Sequence, residues 1–128
     1  MTNKTDLNYH LIIVTKYRKP ILRPDIMEYT ISIIEQELKK IHCEIIAING
    51  DEKNHIHILL KIKPMQSISL IVKIIKQYST YHVWQKFGVD LRRDYWYNNI
   101  LWSSGYFCCS IGNASEETIK NYIENQGN

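Results

Sequence analysis

No apolar run in this 128-residue chain approaches the roughly 20 residues that a membrane helix needs. The first ten residues, MTNKTDLNYH, lack the apolar block of a secretion signal. These two absences lead us to expect a soluble, cytoplasmic protein. Cysteine is scarce: Cys43, Cys108 and Cys109, with no CxxC spacing. An odd number at such spacings argues against both a disulfide framework and a zinc site. Three ordinary buried thiols are expected. Linkers, internal repeats and low-complexity tracts are missing as well, so residues 1–128 are expected to form a single domain. Nor is there a strong excess of one charge. A net +3 is too small to demonstrate a polyanionic partner.

What is present reads as alternating strands and helices. Tyr9–Thr15 (YHLIIVT) is rich in β-branched residues and predicts a buried strand. A basic loop punctuated by Pro20 and Pro24 follows. Met27, Ile31, Ile34, Leu38 and Ile41 then recur at helical spacing. Cys43–Asn49 predicts a second strand, residues 50–54 a polar turn, and His55–Ile62 a third strand paired with the second. Ser67 reads as the cap of a second helix running to about Trp84. Residues 87–102 are aromatic and irregular. Tyr106–Ile111 predicts the fourth strand. Ser115 is expected to cap a last helix, with Glu116 and Glu117 in its first turn. The order β-α-β-β-α-β predicts an α+β, ferredoxin-like antiparallel sheet with helices on one face, plus a C-terminal helix.

NHIHILL (Asn54–Leu60) stands out within this frame. On a strand His55 and His57 face the same way, while Ile56 and Ile58 face a core. The two backbones lie about 6.6 Å apart, within reach of one ion after side-chain rotation. Two ligands do not complete a metal site, and a half-exposed polar strand face would show the same letters. His10 would sit beside them if its strand pairs with the third. Tyr122 and Gln126 are four apart on the last helix, hence on one face. They offer a phenol and a neutral amide oxygen.

Basic residues cluster between Lys61 and Arg93. Lys61, Lys63, Lys73, Lys76, Lys86, Arg92 and Arg93 stand against a single acid, Asp90. Tyr78, Tyr81, Trp84 and Phe87 lie among them. Cations interleaved with rings suit single-stranded nucleic acid, although a solvated helix face with its own buried rings gives the same pattern.

Five blocks together resemble the single-tyrosine HUH transposases, the TnpA proteins of the insertion-sequence group IS-two-hundred/IS-six-hundred-five. They are YHLIIVTKYRKPIL, NHIHILL, SLIVKIIKQYST, LWSSGYF and SEETIKNYIENQ, in order along nearly the whole chain. The resemblance implies cleavage and rejoining of single-stranded DNA with hairpin ends. It implies Tyr122 as the nucleophile that forms a 5′-phosphotyrosine. His55, His57 and Gln126 would bind Mg2+ or Mn2+. It also implies a homodimer whose active sites are shared between subunits, with residues 112–114 as a hinge. Lys16, Arg18, Lys19, Lys61, Lys63, Lys73, Lys76, Arg92 and Arg93 are the candidate DNA contacts. The family usually has Asp where Asn54 stands. Two other readings use the same sequence: a domesticated palindrome-associated relative with the same chemistry, and a non-catalytic single-stranded nucleic-acid-binding domain.

Overall fold

The computed structural model describes residues 7–126. In chain order the elements are β1 (Leu7–Val14), a 3-10 turn (Lys16–Arg18), α1 (Pro24–Lys40), β2 (Glu44–Asp51), β3 (His55–Ile62), α2 (Ile68–Leu91), β4 (Phe107–Ile111) and α3 (Asn113–Glu124). The sheet order is β2-β3-β1-β4, with every pair antiparallel. A tight turn makes β2 and β3 neighbours. The α1 crossover sets β2 one place away from β1, and β3 fills the slot between. This is the ferredoxin-like α+β arrangement.

Both crossover helices cover one face. Pro24 opens α1 at its first turn, where its missing N–H costs nothing. Ile34 and Leu38 are fully buried against Leu11, Ile13, Ile56, Ile58 and Leu60 from the sheet. Met27, Ile31 and Ile41 are only half-buried, and Ile26 joins Ile34 and Leu38 in the core. The Ser67 hydroxyl caps α2 by accepting from the Leu70 N–H at 3.3 Å. Each fully buried Leu or Ile stabilises the fold by about 1.5–3 kcal/mol.

The last helix takes the other face. In α3, Ile123 packs on Ala47 and Leu59, flanked by Ile46, Ile111 and Ile119. The sheet is therefore a filling between two helical layers.

Four expectations change in detail. The second helix runs on to Leu91, because Val83, Trp84, Gly88 and Leu91 continue the buried stripe past the expected stop. The third helix starts at Asn113 with Gly112 as its cap residue, not at Ser115, so the expected hinge shortens to Gly112. The thiols are not all buried: Cys43 is buried, Cys108 half-buried and Cys109 exposed. Cys109 lies on β4, an edge strand, opposite His10. The irregular segment after α2 is an ordered loop. Tyr95, Leu101 and Trp102 are buried in it. The Trp84 Nε1–H donates to the Ile100 carbonyl at 2.7 Å, and the Trp102 Nε1–H to the Ser79 hydroxyl at 2.8 Å. Among the described residues no helix is long and apolar enough to cross a membrane.

Candidate active site

Strand register builds the site. Asp51 lies opposite His55 and Asn49 opposite His57 on β2, while His57 faces Ile12 on β1. Side chains alternate across a strand, so Asn49, Asp51, His55, His57 and His10 all project toward α3. The β2–β3 connection is tight. The Asn54 N–H donates to the Asp51 carbonyl at 3.2 Å, with φ of 52° at Glu52 and 59° at Lys53. Two positive φ values make this a primed turn, normally given to Asn-Gly. A Glu-Lys pair there is strained by about 1–3 kcal/mol per residue. The strained turn is what brings the Asp51 carboxylate level with both imidazoles.

The geometry converges on one point. Asp51 Oδ2 lies 3.6 Å from His55 Nε2 and 3.5 Å from His57 Nε2. Ligand atoms of these three residues all fall within 4.8 Å of one another. Each ring is held from behind through its other nitrogen. His55 Nδ1 meets the Asn54 side-chain oxygen, and His57 Nδ1 lies 3.0 Å from His10 Nε2. Such outer partners fix the tautomer of a metal-binding histidine. With a proton on His57 Nδ1, shared with His10, the Nε2 lone pair points to the meeting point.

Charge state agrees. Burial, then the neighbouring His55, lowers the His57 pKa below the usual imidazole value. Burial, then His57, lowers that of His10. Both rings are neutral at pH 7, as ligation requires. His57 Nε2 is sealed from solvent and has no hydrogen-bond partner among the described residues. A buried polar atom normally finds a partner. An orphan nitrogen beside a carboxylate oxygen and a second imidazole nitrogen fits a divalent cation.

Sequence reasoning places Asp51 in a polar turn and misses it as a ligand. Only the hairpin register, unknown until Asp51 and His55 are paired, singles it out. Gln126, the expected third ligand, has its Nε2 donating to the Tyr122 carbonyl at 3.2 Å. Its own carbonyl accepts from Asn49 Nδ2 at 2.7 Å. The side-chain amide thus runs back along α3, in a cleft that Asp51 and Asn49 also line.

Tyr122 completes the arrangement. Its ring stands edge-on to His57, with centroids 5.9 Å apart, and it is half exposed. Ile119 and Ile123 seat α3 on this face of the sheet, and Tyr122, three residues after Ile119 and so beside it on the helix, meets the histidines.

The profile of a protein family described as IS200-like transposase matches residues 3–126. The chain belongs to the IS200-like transposases. The ISDra2 transposase TnpA of Deinococcus radiodurans is 31% identical over 127 residues, spanning 94% of this chain and 84% of that one. The transposase for insertion sequence element IS200 of Salmonella typhimurium is 29% identical over 120 residues, spanning 92% and 75%. A crystal structure of a candidate transposase from Deinococcus radiodurans superposes with TM-score 0.76 at 27% identity, covering 98% of this chain and 95% of that one. A REP-associated tyrosine transposase bound to a REP hairpin shares the fold, with TM-score 0.63 at 15% identity over 96% and 67%.

In this transposase the basic residues that cluster in sequence separate in space. Lys61 lies on the α3 side of β3, whereas Lys73, Lys76 and Lys86 belong to α2 behind the sheet. Lys86 sits 4.4 Å over the Tyr29 ring. The Lys76 ammonium donates to the carbonyls of Ser103 and Gly105, each at 2.8 Å, and burial lowers its pKa. Lys19 donates to the Asp94 carbonyl at 3.0 Å. Lys63, Lys73, Arg18, Arg92 and Arg93 are exposed, and Lys16 is half-buried. His42 lies in the turn after α1, and His82 packs on Tyr81 along α2, both outside the site.

Proposed function

We propose that this transposase nicks and rejoins single-stranded DNA through a 5′-phosphotyrosine on Tyr122, with His55, His57 and Asp51 holding Mg2+ or Mn2+. The observation that carries the reading is the convergence of two imidazole Nε2 atoms and one carboxylate oxygen beside the Tyr122 ring. A bound divalent cation would supply charge stabilisation for the phosphoryl oxygens and orient the phosphate for in-line attack. A carboxylate in the donor set favours the oxygen-loving Mg2+ and Mn2+ over softer ions more than two imidazoles alone would. Gln126 becomes a further ligand if its amide turns from the Tyr122 carbonyl toward Asp51.

The chain's own residues divide the rest of the work. The Tyr122 oxygen loses its proton and attacks phosphorus. The P–O3′ bond breaks, and the leaving oxygen takes up a proton to become a 3′-OH. The new Tyr–O–P bond conserves the energy of the phosphodiester. A second 3′-OH can then attack phosphorus, release Tyr122 and restore the DNA backbone without ATP. His10 and Asn54 keep both ligand rings in one orientation throughout.

One nucleophilic tyrosine per chain permits one covalent link at a time, so joining two DNA ends calls for a homodimer. Within the single chain Tyr122 already stands beside its own His57. Sites shared between subunits would need α3 to swing about Gly112. Mixing Tyr122→Phe and His57→Ala subunits separates the two cases, because activity returns only where helices are exchanged. Lys16, Arg18, Lys61, Lys63, Lys73, Arg92 and Arg93 are the proposed phosphate contacts, and Lys19 and Lys76 contribute through the fold they hold. The fold's occurrence in a transposase bound to a hairpin supports DNA hairpins as the feature recognised.

The test is a labelled single-stranded oligonucleotide from the flanks of the gene, incubated with Mn2+ and then denatured. A covalent protein–DNA band is expected that disappears in Tyr122→Phe and in EDTA. Cleavage without an adduct would instead indicate a hydrolase using water, and a shift seen only under native conditions would indicate a binding module.

A further inference from the structure

Three aromatic rings in two adjoining loops have no role in the core. Tyr17 is 64% exposed, Trp96 78% and Tyr97 48%. Single exposed rings are common, but three gathered in adjoining loops are not. The Trp96 and Tyr97 rings stand 5.5 Å apart at their centroids. Tyr17 comes from the neighbouring turn, which the Lys16 N–H ties to the Leu101 carbonyl, and its phenol, ahead of burial, raises the Tyr97 pKa. The three rings thus form one exposed wall.

The wall is built, not incidental. Tyr17 has φ 60° and ψ 18°, and Arg18 has φ 55°. Neither residue favours the left-handed region, and such strain persists only where surrounding structure imposes it. Here three bonds impose it. The Lys16 N–H donates to the Leu101 carbonyl at 2.9 Å. The phenol of fully buried Tyr95, its pKa pushed up to about 12 chiefly by burial, donates to the Lys16 carbonyl at 2.5 Å. The Thr15 hydroxyl donates to the Lys19 carbonyl at 2.8 Å. These bonds join the two loops into one piece, with the Tyr17 ring exposed.

That piece is wired to the metal-binding strand. Asn54 Nδ2 donates to the Arg18 carbonyl at 3.2 Å, and the same amide's oxygen meets His55 Nδ1. An aspartate at this position could hold His55 but could not donate to Arg18. The Asn54 amide therefore ties the wall to the site. Two cations flank the rings: the Lys16 ammonium lies 5.4 Å from the Tyr17 ring centre, and Arg18 is exposed. Neither forms an ion pair among the described residues. Rings for bases and cations for phosphates are the two components of single-strand binding.

We propose that Tyr17, Trp96 and Tyr97 form a stacking platform for unpaired bases of the DNA strand entering the site, with Lys16 and Arg18 holding its phosphates. The inference rests on the single-stranded substrate proposed above. Positive charge beside the rings selects a polyanion over a second copy of this basic chain.

Tryptophan emission tests it. Trp84 and Trp102 are each only 7% exposed and bonded internally, so quenching by an added oligonucleotide reports on Trp96. The full chain, as Tyr122→Phe in EDTA, is titrated with an oligothymidylate of about twelve nucleotides and with an abasic strand of equal length. Oligothymidylate should quench and bind about tenfold or more tighter than the abasic strand, the scale of base–ring stacking. Tyr17→Gly keeps the backbone's positive φ and removes only the ring, and it should lose about tenfold in affinity. Trp96→Ala should do the same, whereas Trp96→Phe should keep the binding and lose the quench. Equal binding of both strands, or no loss in Tyr17→Gly and Trp96→Ala, would overturn the platform. So would a change in self-association in those variants with DNA binding intact. Failure of the covalent band in the wild-type chain would overturn the catalytic reading and leave the stacking result untouched.

Discussion

The two faces of the sheet solve opposite problems with the same strand. Ile56, Ile58 and Leu60 on β3 point to α1 and α2 and are wholly buried among aliphatic neighbours. His55 and His57, which alternate with them in sequence, point to α3. On the first face nearly every atom removed from water is apolar, and burial is straightforwardly stabilising. On the second, only a small cluster around Leu59 and Ile123 is apolar. The rest is a carboxylate and three imidazoles, with a sealed nitrogen that lacks a partner among the described residues. Such a group costs about 1–3 kcal/mol. The stable face thus carries a face that would be unfavourable alone. Positive φ values at Glu52, Lys53, Tyr17 and Arg18 gather around Asn54, in the loops at the end of the sheet beside the site, while that of His42 lies in the turn after α1.

Substitutions on either side should separate activity from stability. Tyr122→Phe should abolish the covalent adduct outright, and His57→Ala should cut its rate by about a hundred- to a thousandfold. Both should leave the urea midpoint close to that of the native chain. Ile58→Ala, one residue along β3, should do the reverse and cost about 2–5 kcal/mol in urea unfolding. A His57→Ala chain as unstable as Ile58→Ala would erase the contrast between the faces.

Finer changes sharpen it. His10→Ala or Asn54→Ala removes a partner from behind a ligand ring without touching the meeting point. Each should weaken Mn2+ binding by about 10–100-fold in calorimetry. Unchanged affinity in both would mean that the rings are held by packing alone. Asn54→Asp should retain most metal affinity, since a carboxylate can still accept from His55 Nδ1, while weakening oligothymidylate binding through the lost link to Arg18.

The smallest effect is on pH. Burial lowers the pKa of His10 and His57 in the folded chain. The unfolded chain therefore binds more protons as pH falls below the ordinary histidine value near 6.5. Their contribution to stability is present above that value and fades as pH drops toward the lowered folded values. The melting temperature, without metal, should fall between about pH 7.5 and about pH 5.5, and the slope should flatten in a His10→Gln, His57→Gln chain. An equal slope in that chain would assign the dependence to other groups.

Legibility followed the range of the interaction. NHIHILL can be read as a strand from its two-residue period, and β3 begins at His55 as that period requires. The face shared by Tyr122 and the buried side of α3 follow from helical spacing. Asp51 is not legible, because residues 50–54 read as a turn but their letters do not set the register that pairs Asp51 with His55. His10 is legible only as a condition, namely that β1 pair with β3. Residues 92–106 resist reading because their order comes from indole and phenol bonds to distant carbonyls, with no repeating period. The basic run misleads for a related reason: neighbours in sequence fall on opposite sides of the sheet.

By itself, then, the sequence determined the elements, their order, the alternation that sends both histidines one way, and the family. Those depend on short-range period and on motifs that survive without coordinates. Tertiary structure alone decided the third ligand group, the partners behind each imidazole, and the aromatic wall tied to Asn54. Each of these depends on strand register or on contacts between segments far apart in the chain, and no local pattern encodes which distant atom a side chain will meet.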